Sequence, residues 1–208
     1  MGLFITMEGP DGSGKTLQMD LLQSYLEEKG YDVLRTREPG GPPVAEKIRD
    51  LLLDPANRAM CSRAEALLYA ASRAQHVEET VRPALEARKI VLCDRFTDSS
   101  LVYQGIGRGL GIEEVAALSR FATDSLDPDV TVLLQIDAAE GIRRKALQTR
   151  GNLDRMEMEK AEFHDRVHDG FNRLAELFPE RIRTVNALGT PEEVHLRVRK
   201  AVEPFLKV

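Results

Sequence analysis

Short apolar runs recur along the chain, and most are followed by a stretch whose apolar positions fall three or four residues apart. Leu3 to Met7, Val33 to Arg37, Ile90 to Cys93, Val130 to Ile136 and Ile182 to Val185 are β-type runs too short for helices, and they read as strands. After the first run, Leu17, Leu21, Leu22, Tyr25 and Leu26 are spaced as one helical face. Arg63 to Arg88 reads as a long helical region carrying Leu67, Leu68, Ala71, Val77, Val81 and Leu85, with Pro83 expected to kink or end it locally. Helices are also expected over Glu113 to Ser125 and around His164 to His168. A last one opens at Thr190-Pro191-Glu192-Glu193, where Thr190 is an N-cap, Pro191 suits the first turn and Glu193 completes a capping box. Such alternation predicts an α/β fold: a mainly parallel sheet, helices on both faces, and ligands at the carboxyl ends of the strands.

The candidate chemistry falls at those ends. The first strand runs into Gly9-Pro10-Asp11-Gly12-Ser13-Gly14-Lys15-Thr16, which satisfies G-x-x-x-x-G-K-[ST] between a strand and a helix. Its glycines let consecutive backbone N–H groups turn toward a polyphosphate, Lys15 adds a point charge, and Thr16 offers a hydroxyl to Mg²⁺. The second run ends in Thr36-Arg37-Glu38-Pro39-Gly40-Gly41, a turn-rich segment at the same sheet edge. The third opens into a polar segment, Asp94-Arg95-Phe96-Thr97-Asp98-Ser99-Ser100-Leu101-Val102-Tyr103-Gln104-Gly105. There Asp94 suits a metal shell and Arg95 a bidentate phosphate grip; an internal ion pair is the alternative. Gly141 to Glu157 carries five cationic side chains, which read as a basic flap with a hinge at Gly151-Asn152 or as a solvated helix face. His164 and His168 miss H-E-x-x-H because Asp165 follows, and they are expected to be exposed.

Composition narrows the classes. With 208 residues and no repeat or linker, the chain reads as one domain over residues 1–208, with a flap at about 143–156. A net charge of −5 supplies no global basic field, so no nucleic-acid partner is expected. Cys61 and Cys93 lack C-x-x-C spacing and fit a reducing compartment, Cys93 as a buried residue. No apolar run approaches membrane-spanning length, and Phe4 to Met7 is too short for a signal-peptide core, so a cytoplasmic chain with no membrane partner is expected.

Six segments, in order and over nearly the whole chain, resemble the thymidylate kinases of the nucleoside monophosphate kinase group. They are Gly9 to Thr16, Arg37 to Gly41, Leu68 to His76, Asp94-Arg95-Phe96, Tyr103-Gln104-Gly105 and Gly151 to Arg155. The resemblance implies a three-layer P-loop NTPase fold with a five-stranded parallel sheet flanked by helices. It implies phosphoryl transfer from ATP to dTMP with Mg²⁺, in dTTP biosynthesis, in a homodimer. By the same resemblance Gly9 to Thr16 hold ATP, Thr16 and Asp94 serve the metal, and Lys15, Arg95, Asp94 and Arg150 are catalytic. Asp11 approaches the dTMP sugar hydroxyl, Arg95 holds the acceptor phosphate, and Tyr69 stacks on the base. Arg73 reaches the thymine edge or phosphate, Ser100 and Gln104 line the base or sugar pocket, and Glu38 and Pro39 border it. Tyr103 packs beneath the deoxyribose, leaving little space for a 2′-hydroxyl. Some thymidylate kinases carry an arginine inside the P-loop. Here Gly12-Ser13 leaves none, which matches the bacterial type with flap-supplied arginines and points to Arg150, with Arg143, Arg144 or Lys145 as substitutes.

The expected mechanism is in-line transfer to an acceptor that is already an anion, driven by positioning and charge neutralisation rather than by a strong base. Other readings weigh less. A P-loop kinase for another nucleoside or monophosphate shares the cradle. A GTP switch requires N-K-x-D, and Asn186-Ala187-Leu188-Gly189, the nearest segment, has neither Lys nor Asp, although its place suits contact with a nucleotide base. A nucleic-acid motor requires a basic tract and a longer chain.

Overall fold

Five strands form a single all-parallel sheet in the order β2-β3-β1-β4-β5: β1 (Leu3–Glu8), β2 (Val33–Arg37), β3 (Ile90–Asp94), β4 (Val130–Gln135) and β5 (Ile182–Asn186). The computed structural model describes residues 2–137, 139–141, 143–144 and 153–206. Each strand lies within one residue of the run read from the sequence at either end. The reason is that parallel strands covered on both faces need near-continuous apolar sequence. Among the described residues the helices are α1 (Lys15–Glu28), α2 (Pro43–Leu53), α3 (Ser62–His76), α4 (Arg82–Glu86), α5 (Thr97–Ser100), α6 (Ile112–Thr123), α7 (Ala161–Leu177) and α8 (Pro191–Val202).

Alternation along the strands divides the core. Ile5, Met7, Leu92, Val132 and Leu134 face α1 and α8, meeting Met19, Leu22 and Leu26 from the first and Val194, Val198 and Val202 from the second. Phe4, Val91 and Cys93 face the other way against Val77, Val81 and Phe96, and Leu133 and Ile182 meet Val167, Phe171 and Leu174 of α7. Helix, sheet and helix thus make three layers, each fully buried aliphatic or aromatic side chain contributing about 1.5–3 kcal/mol of transfer free energy. Glu8 sits on the Phe4 side of β1, so its carboxyl is carried into the core just before the Gly-rich loop. β1 lies between β3 and β4, and the chain leaves β1 toward β2 but leaves β4 toward β5. The crevice at their carboxyl ends is the switch point of the sheet.

Three segments depart from the expectations. Helix α2 carried no clear signal, because it buries only Ala45 and Leu52 while Val44 and Leu51 stay exposed. The long helical region divides into α3, a π-helical turn at Val77–Val81 and α4. Pro83 lacks an N–H and its ring would strike the preceding turn of a regular helix, and the widened turn takes up that mismatch. The polar segment after β3 is helical, with α5 leading directly into a π-helical stretch at Leu101–Gly107. Neither histidine is exposed as expected: His164 is half-buried against the Phe163 ring, and the Nε2–H of half-buried His168 donates to the carbonyl of Ile136 (2.7 Å), which ties α7 to the end of β4. The capping box at Thr190 and Glu193 is formed. No described helix is long and apolar enough to cross a membrane.

Candidate functional site

A cleft of about 770 Å³ opens at the carboxyl ends of β1, β2 and β3. The loop after β1 takes its shape from glycine at two points. Gly9 has φ +139°, and a Cβ there would come within 2.6 Å of the Leu134 carbonyl. Gly12 has φ +77°, and a Cβ there would overlap the carbonyl of Gly141. Lys15 opens α1 and curls back, its Nζ donating to the carbonyls of Gly9 and Pro10, each at 3.0 Å. Burial, reinforced by repulsion from Arg95, pushes the Lys15 ammonium down to about 8. A polyphosphate in the cradle would offset both effects.

Arg95 turns the chain out of β3 with φ +66°, a left-handed conformation that costs a non-glycine residue about 1–3 kcal/mol. The turn places its guanidinium over the loop. Nη1 donates to the Gly9 carbonyl (3.2 Å) and Ser99 Oγ (3.1 Å), Nη2 donates to Asp11 Oδ1 (2.6 Å), and the plane lies 5.2 Å from the Tyr103 ring centroid. Beneath it the Glu8 carboxylate accepts from the backbone N–H of Phe96 (2.7 Å) and of Ser99 (3.2 Å) and from Ser99 Oγ (2.6 Å). Burial first, and the neighbouring Asp98 second, push Glu8 up to about 7. Asp94 borders the same cleft, and its Oδ1 is buried without a hydrogen-bond partner. That carboxylate oxygen and the Thr16 hydroxyl, which line the same cleft, make a hard-oxygen donor set. It fits Mg²⁺, which takes one or two protein oxygens and fills the rest of its shell with phosphate and water.

The inner wall is a buried polar network. Arg73 Nε donates to Glu38 Oε2 (2.7 Å), and its Nη2 donates to Ser100 Oγ (2.9 Å) and the Phe96 carbonyl (3.1 Å). The other Glu38 oxygen pairs with His76 Nδ1 (2.9 Å), so both oxygens of that carboxylate are engaged from behind the cleft. Tyr103 packs against Phe163 and Phe171 at centroid distances of 6.1 and 6.2 Å, which fixes its ring at the floor. Gln104 Nε2 donates to Glu65 Oε1 (3.0 Å).

Of the residues singled out in the sequence, Gly9, Pro10 and Ser13 sit in the loop itself. Arg150 lies outside the described residues, as do Lys145 and the Gly151-Asn152 pair. Apart from Arg143, every other residue assigned a binding, metal or catalytic role lines this one cleft. Arg143 and Arg144 both pair with Glu140, but Arg143 stays exposed, whereas Arg144 reaches the cleft and also donates to the Ala187 carbonyl (3.2 Å). Glu8, Glu65, Ser99 and Arg49 carry no functional signal in the sequence alone. Arg49 stands on the unanticipated α2, and the two acids read as ordinary charges until the fold encloses them.

A family model described as thymidylate kinase matches residues 7–198. The chain belongs to the thymidylate kinase family. A thymidylate kinase from Bacillus licheniformis is 49% identical over 206 residues, covering 99% of this chain and 97% of that protein. One from Clostridium novyi is 45% identical over 206 residues, covering 99% and 98%. The crystal structure of thymidylate kinase from Ehrlichia chaffeensis superposes with a TM-score of 0.77 at 35% identity, over 97% of this chain and 98% of that one. The five-stranded parallel sheet flanked by helices is therefore the sheet of the thymidylate kinase family, and the cleft lies at its switch point.

Proposed function

We propose that this chain transfers the γ-phosphoryl group of ATP to dTMP, giving dTDP and ADP, as a step in dTTP biosynthesis. The observation that carries the reading is the seating of Arg95, whose guanidinium lies 3.2 Å from the P-loop carbonyl of Gly9. One phosphate site, the loop with Lys15, thereby stands directly beside a second, the Arg95 fork. That is the arrangement a donor and an acceptor phosphate require for in-line attack. The acceptor oxygen is already anionic, so no side chain needs to remove a proton. Lys15 and Arg95 supply charge complementary to the loosened phosphoryl group, and Asp11 holds Arg95 in place through its 2.6 Å contact. Arg144, at the cleft edge, is a further cation in reach, and we assign the remaining flap charge to Arg150.

Beyond the phosphates, Tyr69 stacks on the base, Arg73, Ser100 and Gln104 meet its polar edge, and Tyr103 excludes a 2′-hydroxyl. Glu38 and Pro39 border the acceptor, Glu38 acting through Arg73. Thr16 and Asp94 would hold Mg²⁺, which neutralises phosphate charge when bound. The chain is read as one domain working in the cytoplasm as a homodimer. The exposed apolar side chains Leu51, Leu67 and Phe121 support a dimer face, since they stand on α2, α3 and α6, of which α3 packs against both others. ADP release measured with ATP and each nucleoside monophosphate in turn tests the assignment. Strong turnover on dTMP with weak turnover on purine monophosphates is expected, and preference for any other monophosphate refutes it.

A further inference from the structure

Gln104 is 1% exposed and lines the inner end of the cleft, and an amide there presents either its oxygen or its NH₂ to a bound base. Which end it presents is decided behind it. Glu65, wholly buried on α3, offers only acceptors, and the Gln104 NH₂ is drawn to its Oε1 at 3.0 Å. The carboxylate is itself held on every side. Arg108 Nε reaches Oε1 (3.0 Å), Arg108 Nη2 reaches Oε2 (2.8 Å), and Arg155 Nη1 reaches Oε2 (2.7 Å). Arg155 is locked in turn by donating to the Leu52 carbonyl at 2.6 Å. We propose that Glu65 is a specificity-positioning residue: it holds the Gln104 amide with its oxygen toward the base, so the cleft selects a pyrimidine that carries a hydrogen on N3. This rests on reading the inner cleft as the acceptor-base pocket.

Thymine and uracil donate from N3–H, whereas cytosine has an acceptor there, so a fixed amide oxygen accepts the first two and repels the third. Glu65→Gln reverses the logic. The new NH₂ meets two arginine donors at the Oε2 position but only one at the Oε1 position, where its other neighbour is the Gln104 amide. That amide can flip, and the arginine forks cannot. The NH₂ therefore faces Gln104, which turns its oxygen inward and its own NH₂ toward the base.

The test compares kcat/KM for dTMP, dUMP and dCMP in the wild-type chain and in Glu65→Gln. The dTMP-to-dCMP ratio is expected to fall about 10- to 100-fold, the scale of exchanging a satisfied buried hydrogen bond for a mismatched one. The dTMP-to-dUMP ratio should hold, because those substrates share N3–H. Equal loss on all three substrates overturns the proposal, because a merely structural role moves them together. A wild-type chain inactive on dTMP overturns the proposed function, and this inference with it. Should Glu65→Gln not fold, a structure of the wild-type chain with dTMP decides the same point. The Gln104 oxygen about 3 Å from N3 supports the proposal, and N3 facing any other group refutes it.

Discussion

Two buried charges beside the cleft act against stability at neutral pH. For Lys15 the folded value is pushed down to about 8, so between that pH and its ordinary range the unfolded chain binds the extra proton and stability rises with pH. Below pH 8 the buried ammonium is a cost the fold carries for the sake of the phosphate cradle. Lys15→Ala should therefore lower turnover by at least about 100-fold while leaving the melting temperature unchanged or raised. ADP release and thermal melts of the same preparations check both halves. Glu8 runs the other way. Its folded value of about 7 lies above the unfolded 4.5, so the folded state holds the extra proton between them, and stability falls as pH rises through that window. Glu8→Gln should flatten the dependence of melting temperature on pH between 5 and 7, and an unchanged slope would show that Glu8 titrates elsewhere.

At the scale of elements, legibility followed burial chemistry. The strands were readable because a covered parallel strand has little choice but continuous apolar sequence, and Lys15 and Thr16 because the cradle demands fixed spacing. The helix after β3 was hidden because Thr97, Asp98, Ser99 and Ser100 are all buried polar residues, a composition that reads as a loop in isolation. Asp98 is enclosed because Arg181, far along the chain, pairs with it at 2.5 Å and the Thr131 hydroxyl of β4 donates to it at 2.9 Å. Glu65 shows the same limit: an acid in the first turn of a helix looks solvated until two arginines from distant segments close over it. The start of α8 was legible for the opposite reason, its cap being entirely local. Thr190→Ala removes the acceptor for the Glu193 N–H and should cost about 1 kcal/mol in chemical denaturation with turnover retained.

The whole molecule places its cleft at one edge of the sheet and leaves apolar side chains on α2, α3 and α6, with Phe121 89% exposed. If that surface is the dimer face, Phe121→Glu should convert the dimer to monomer in sedimentation velocity, and an unchanged dimer would place the interface elsewhere. The loop and the start of the basic segment also meet at one point, where Gly12 lies against the Gly141 backbone. The space a side chain at position 12 would need is already filled by that backbone, so an arginine carried in the loop, as in some thymidylate kinases, would displace the start of the basic segment. Gly12→Arg adds a cation beside the phosphates, yet it should reduce kcat, and regaining activity should require a second change near Gly141. By that expectation a route between a loop arginine and a flap arginine passes through a less active intermediate, so an ancestor is expected to have changed both places together or to have tolerated a weakened enzyme.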